Sequence, residues 1–289
     1  MSFEEWSYDR HRIEEREVGV PACYTTPDSI DAWRHRRMLE TLLPLLEAHP
    51  GAAWLTIGDG NYGSEAHYLQ EHGADATASS ITDATLASAC ERGYIRKYRA
   101  ENAEALSVAS GSFDFVLCKE SYHHFPRPPI AFYEMWRAAR CALVLIEPID
   151  SPPRMLDWLK YVVKRLLRGD ATDQFEQSGN FIFRVNVREV EKMASALNAS
   201  SVAVKRYNDC YYAKAANDRR GAATAGNLIT NLLLVAQNVL CALRLLNHGL
   251  ATVIVFRHEV DAALRERLER AGFSLVHLPK NPYVVAMSD

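Results

Sequence analysis

The sequence predicts an α/β fold: a doubly wound, mostly parallel sheet with helices on both faces, an N-terminal helix before it and a C-terminal helical insertion after it. Three observations carry that prediction. Ala53–Ile57, Phe113–Cys118 and Ala142–Ile146 are short apolar runs, as expected of strands buried on both faces. Helical patterns separate them, which implies βαβ units. The first run ends in glycines that lead into a helix, the arrangement of a ligand-holding turn.

The elements follow in order. Thr26-Pro27-Asp28 reads as a helix start, with a Thr cap, Pro at the first helical position and an acid in the first turn. Leu39, Leu42, Leu43 and Leu46 then keep the spacing of one helix face, and Pro50-Gly51 stops it. Residues 1–50 thus form an N-terminal helical cap. Residues 51–150 form the core. Its strands are Ala53–Ile57, Ala76–Ser80, Phe113–Cys118 and Ala142–Ile146. Its helices are Ser64–His72, a segment capped by Thr82 that carries Leu86 and Ala89, and Pro129–Arg140. Residues 151–289 complete the sheet on the acceptor side, within one compact domain overall. They hold helices Met155–Leu167, Val187–Leu197, Asn227–Leu246 and Val260–Ala271, and strands Val202–Tyr207, Ala251–Phe256 and Phe273–Leu278.

Composition narrows the class. The 289 residues are 48% hydrophobic and 24% charged, which excludes a disordered chain and allows a core without disulfides or metal. A net charge of −3 argues against a nucleic-acid binder. Residues 1–150 carry 14 Lys+Arg against 23 Asp+Glu, and residues 151–289 carry 19 against 13. The halves attract each other, or the second faces an acidic ligand. Six cysteines without a C-x-x-C pair indicate reduced thiols in a cytoplasmic protein and no metal site. The N-terminus MSFEEWSYDRHRIEERE is too charged for a signal peptide. Asn227–Leu246 is apolar, but Asn231, Gln237, Asn238 and Arg244 argue against a stable membrane span. It is expected to be a buried helix, serving as a lid or a homodimer seam. Lys160, Lys164, Arg165 and Arg168 beside Leu159, Val163 and Leu166 make a basic amphipathic helix. A solvated face is the expected role, with anionic lipid or an acidic substrate as alternatives.

Gly58-Asp59-Gly60-Asn61-Tyr62-Gly63 fits G-x-G-x-x-G, the dinucleotide fingerprint, whose glycines permit a tight turn and close backbone approach. That reading, an NAD(P)-dependent oxidoreductase, wants an acid about 20 residues on for the ribose. Ser79-Ser80 stands there instead, and no Tyr-x-x-x-Lys pair follows the fourth strand.

Glu101-Asn102-Ala103-Glu104-Ala105-Leu106, Gly111-Ser112-Phe113-Asp114-Phe115-Val116-Leu117 and Ser121-Tyr122-His123-His124-Phe125 come in the order and spacing of another family. Over roughly residues 50–150 the chain resembles class I S-adenosylmethionine-dependent methyltransferases of the small-molecule type. The resemblance implies a Rossmann-like, seven-stranded, mostly parallel sheet, S-adenosyl-L-methionine as cofactor and a small-molecule acceptor. It further implies that Gly58 and Gly60 line the methionine moiety. Ser80, with Ile81 beside it, takes the ribose place, and Asn102 and Ala103 meet the adenine. Lys119 and Glu120 border the methionine part and the acceptor. Thr56, Tyr62 and Ser80 depart from the pattern: an acid is usual at the first and third, a glycine at the second. Asp59 is offered as the missing negative charge for the cofactor's ammonium or sulfonium. The same departures motivate the alternative of a non-catalytic protein with a degenerate cofactor site.

Methyl transfer from a sulfonium is an in-line displacement that rests mainly on positioning, and a general base helps with a hydroxyl or amine acceptor. Cys118–Pro128 packs Lys, Glu, Tyr, two His and Arg behind a buried strand. His123 or His124 is the candidate base, with Glu120 as partner or second candidate. Adjacent histidines do not suggest a metal site. Glu147 and Asp150 end the next strand and either face the acceptor or are solvated. Trp33-Arg34-His35-Arg36-Arg37 either closes over the cofactor or forms a solvated basic face.

Overall fold

In a computed structural model that describes residues 1–17, 22–168, 174–176 and 178–283, the predicted strands join one eight-stranded sheet. β1 (Ala53–Ile57), β2 (Asp75–Ser80), β3 (Tyr98–Ala100), β4 (Phe113–Lys119) and β5 (Ala139–Pro148) are parallel to one another. β7 (Leu250–Phe256) inserts antiparallel between β5 and β6 (Ser201–Tyr207), and β8 (Ser274–His277) pairs antiparallel with the outer side of β6. The order is β3-β2-β1-β4-β5-β7-β6-β8. The eighth strand goes beyond the seven that the resemblance implies.

Successive side chains in the central strands enter opposite cores, so the strands read as continuous apolar runs. Trp54, Phe115 and Val144 join the cluster on one face; Leu55, Val116 and Leu143 join that on the other. Trp54 and Phe115 stand in register on β1 and β4 with ring centroids 4.5 Å apart.

Before β1 come α1 (Phe3–Glu17), α2 (Ala22–Thr25), α3 (Ile30–Leu39) and α4 (Leu43–Ala48). Thr26 is not the cap expected from sequence. Thr26–Ser29 forms a turn, and Ser29 Oγ accepts from Ala32 N at 3.1 Å. A 3-10 turn at Glu40–Leu42 separates α3 from α4, where Pro44 lacks the N–H that a continuous helix needs. α5 (Ser64–Glu71) follows β1 and α6 (Ala84–Glu91) follows β2. Asp83, not Thr82, takes the cap position of α6. α7 (Pro128–Ala138) links β4 to β5.

The second half adds α8 (Met155–Arg168), α9 (Val187–Ala196), α10 (Ala225–Ala242) and α11 (Ala262–Arg270). The expectation of a buried apolar helix at Asn227–Leu246 fails. α10 lies on the surface with Leu228, Leu232, Val235 and Val239 exposed. Apolar content alone could not say which side of the helix meets the protein. Ion pairs Asp28–Arg219 and Glu47–Arg267, at 2.7 and 2.8 Å, join the acidic and basic halves at the surface.

Candidate active site

A cleft of about 680 Å³ opens at the carboxyl ends of β1, β2 and β4, where a doubly wound sheet binds its ligand. Its floor is the turn from β1 into α5. Gly58 has φ +73°, and a Cβ there would lie 2.5 Å from Ser121 Cβ, so the position needs glycine. Gly63 takes the same left-handed conformation to enter α5. A Cβ on Gly60 would meet Ser80 Oγ at 2.9 Å and Glu15 Cδ at 3.0 Å.

The cleft gathers residues far apart in sequence. Gly58, Gly60, Ser80 and Ile81 line it, as do Asn102, Ala103, Lys119, Glu120 and His124. Two predicted residues are not among the lining. Asp59 is buried beneath the turn, and its carboxylate is already occupied. It accepts from Thr56 Oγ1 at 2.8 Å, Ala66 N at 2.9 Å and Glu65 N at 3.2 Å, satisfying the first turn of α5. Burial and neighbouring Glu65 push its pKa well above the ordinary carboxylate value. The charge offered to the cofactor from Asp59 is therefore not available; Glu65 reaches the cleft instead. His123 sits behind His124, ring centroids 4.0 Å apart.

α1 forms a wall that the motifs did not reveal. Tyr8, His11, Glu14 and Glu15 line the cleft from it. Tyr8 donates to Glu104 at 2.6 Å and accepts from Arg127 at 3.0 Å, and His11 Nε2 lies 3.2 Å from Asn180 Oδ1. Glu15 Oε2 accepts from Ser80 Oγ at 2.9 Å. Oε1 is buried, has no hydrogen-bond partner among the described residues, and faces Gly60. Burial raises the Glu15 pKa. A carboxylate thus stands where Ser80 lacks one, delivered from another element. Its orphaned oxygen, beside a glycine that leaves room, fits the hydroxyls of a ribose.

Lys119 Nζ lies 2.9 Å from both Glu65 Oε1 and His35 Nδ1, and 3.7 Å from Glu120 Oε2. Burial opposes its charge, but Glu65 and Glu120 win and raise its pKa. Burial would raise Glu65, yet the Lys119 ammonium holds it at about 2. The same ammonium, helped by burial, pulls His35 down to about 3, so His35 is neutral. Glu120, at φ +47°, has its pKa raised mainly by burial. In the Trp33–Arg37 segment His35 reaches the cleft, whereas Arg34 turns to Asp31 and Asp209. Trp33 takes Arg37 and Arg220 against its ring.

Glu147 is not solvated: it is 1% exposed and accepts from Ser121 N at 2.8 Å and Tyr122 N at 2.9 Å. Its Oε2 lies 2.6 Å from His123 Nδ1. Burial works against a charged His123, but this bond and the charge of Glu147 outweigh it and raise the pKa. His124 Nδ1 pairs with Glu176 Oε1. His123, His124 and Glu176 place ligand-type atoms within 4.8 Å of one another, each histidine being paired with a carboxylate.

The strand order with its antiparallel β7, the glycine turn and the cleft above it define a Rossmann-like α/β fold with its site at the carboxyl ends of the parallel strands. Residues 55–142 match the family described as a methyltransferase domain. The YcgJ protein of Bacillus subtilis superposes with a TM-score of 0.53 at 17% identity, covering 78% of this chain and 100% of its own. Magnesium protoporphyrin IX methyltransferase of Synechocystis PCC 6803, with bound S-adenosylhomocysteine, gives 0.50 at 15% identity, over 89% and 96%. A phosphoethanolamine N-methyltransferase of Haemonchus contortus, with phosphomonomethylethanolamine and S-adenosylhomocysteine, gives 0.51 at 14%, over 90% and 61%. These likenesses are of fold. No curated protein matches the chain in sequence. Glu15 stands in for the carboxylate whose absence at Ser80 helped motivate the reading of a degenerate cofactor site.

Proposed function

We propose that the chain methylates a small-molecule acceptor at a hydroxyl or amine, with a sugar or metabolite hydroxyl as the first class to test. One observation carries the reading: residues chosen from sequence for donor binding and for proton transfer line the same cleft. When bound, S-adenosylmethionine supplies a methyl group activated on a sulfonium. Gly58 and Gly60 leave room for its methionine end, and Lys119 and Glu65 present opposite charges to its carboxylate and ammonium. Glu15 Oε1 accepts from the ribose hydroxyls, and Asn102 and Ala103 border the adenine. Holding acceptor and donor in near-attack geometry supplies most of the acceleration. His124 is the base. Glu176 holds its Nδ1, leaving Nε2 to take the acceptor proton. Glu120 is the second candidate. His123, fixed by Glu147, acts as a positioning residue behind His124.

Seven carboxylates line the cleft (Glu14, Glu15, Glu65, Glu101, Glu104, Glu120 and Glu176), which suits a cationic donor and disfavours nucleic acid. Free thiols at Cys90, Cys118, Cys141, Cys210 and Cys241 support a cytoplasmic setting. Calorimetry with S-adenosylmethionine and with NADPH, followed by transfer of labelled methyl to a small-molecule extract, tests the reading. Donor binding with label on a small molecule is expected. Binding of NADPH alone, or label only on nucleic acid, overturns it.

A further inference from the structure

We propose that the side of the molecule built from α8 and α10 docks on an anionic lipid bilayer, with both helices lying in the headgroup region rather than crossing it. α10 is amphipathic in the reverse of the usual sense. A surface helix of a soluble protein turns its apolar stripe to the core. Here the polar side meets the protein. Asn227, Thr230 and Cys241 are buried. Asn227 Nδ2 donates to Arg219 O at 2.9 Å, and Asn238 Oδ1 accepts from Asn208 Nδ2 at 2.9 Å. Leu228, Leu232, Val235, Val239 and Leu243 share the opposite face and are 51–63% exposed. The 18 residues are long and apolar enough to cross a membrane. The bonds along the polar face instead fasten the helix flat against the protein, so it presents one side only.

α8 begins where α10 ends. Leu156 N donates to Leu245 O at 3.1 Å, and Arg154 Nη1 donates to Leu246 O at 3.3 Å. Trp158 and Tyr161 of α8 and Gln237 of α10 wall one cavity of about 730 Å³, so the two helices are neighbours. None of the described α8 residues is buried. Met155, Trp158, Leu159 and Val163 lie on one face, 44–64% exposed, and Lys160 and Arg165 are exposed beside them. Exposed Trp and Tyr next to basic residues, over an apolar face, are the composition of a helix at a lipid–water interface.

Charge decides the occupant. Lys160 and Arg165 have no acidic partner among the described residues, and their half of the chain carries 19 basic against 13 acidic residues. A symmetric contact with a second copy would bring this cationic patch against itself. An anionic bilayer complements both its charge and its apolar area.

Flotation of the full chain with vesicles tests this without reading methyl transfer. The chain is expected to float with mixed phosphatidylglycerol–phosphatidylcholine vesicles and to stay behind with phosphatidylcholine alone. Lys160→Ala with Arg165→Ala is expected to weaken association roughly 30-fold. Leu232→Asn with Val239→Asn is expected to abolish flotation while leaving the melting temperature unchanged, since both side chains are exposed. Equal flotation with both vesicles, or none with either, overturns the proposal. So does a dimer in solution that the Leu232→Asn, Val239→Asn pair splits into monomers.

Discussion

Replacing Glu15 by Gln separates a donor-binding carboxylate from a structural one. The carboxylate is desolvated, keeps one bond to Ser80 and leaves Oε1 unpaired. Its raised pKa means that the folded chain binds the Glu15 proton more tightly than the unfolded chain. Ionised Glu15 therefore destabilises the fold. The penalty is absent below the unfolded carboxylate pKa and grows as pH rises through the window up to the folded value. Gln keeps an acceptor for Ser80 and removes the charge, so at neutral pH the melting temperature should hold or rise. Donor binding should move the other way. A hydrogen bond to a charged group is worth about 1.5–3 kcal/mol, and its loss weakens affinity roughly 10- to 150-fold. Calorimetry with S-adenosylmethionine beside thermal melts in the absence of donor reads both. Unchanged affinity would show that Glu15 does not hold the ribose. A parallel fall in melting temperature would show a packing residue.

His124→Ala should lower kcat by about 10²- to 10⁴-fold with donor affinity unchanged, as for loss of a general base; undiminished turnover would move that role to Glu120. Glu147→Gln should cost about 1–3 kcal/mol, read from the denaturant midpoint, because Ser121 N, Tyr122 N and His123 share that buried carboxylate. His123 has a raised folded pKa, so its contribution is complete below the ordinary histidine value and is lost as pH rises through the folded one. The Gln variant should lose that slope, and an unaltered pH–stability profile would count against the pair. Asp59→Ala should destabilise by about 1 kcal/mol through the lost contacts to the first turn of α5, and an unchanged melting temperature would contradict this.

The sheet was legible because strands covered on both faces leave uninterrupted apolar runs, and the glycine turn because its geometry admits few other residues. The β4 exit was legible through its density of titratable groups. Glu15 was not: it sits in a charged segment without a motif, and its role arises only when α1 packs over β2. Asp59 looked available because it stands between glycines, yet the same turn aims its side chain into the start of α5. Sequence showed that Asn227–Leu246 was apolar but not which face was fastened. That depended on partners such as Asn208, which are distant in the chain.

α1 carries a consequence for the site. Side chains tie it down at Tyr8, His11 and Glu15, and backbone pairing to the sheet does not. A part of a fold held in this way detaches before strands do. Loosening of α1 would open the wall of the cleft that Tyr8, His11, Glu14 and Glu15 form. Changes in this helix, whose His11 Nε2 lies 3.1 Å from the His124 carbonyl oxygen, therefore bear on the site as well as on the fold.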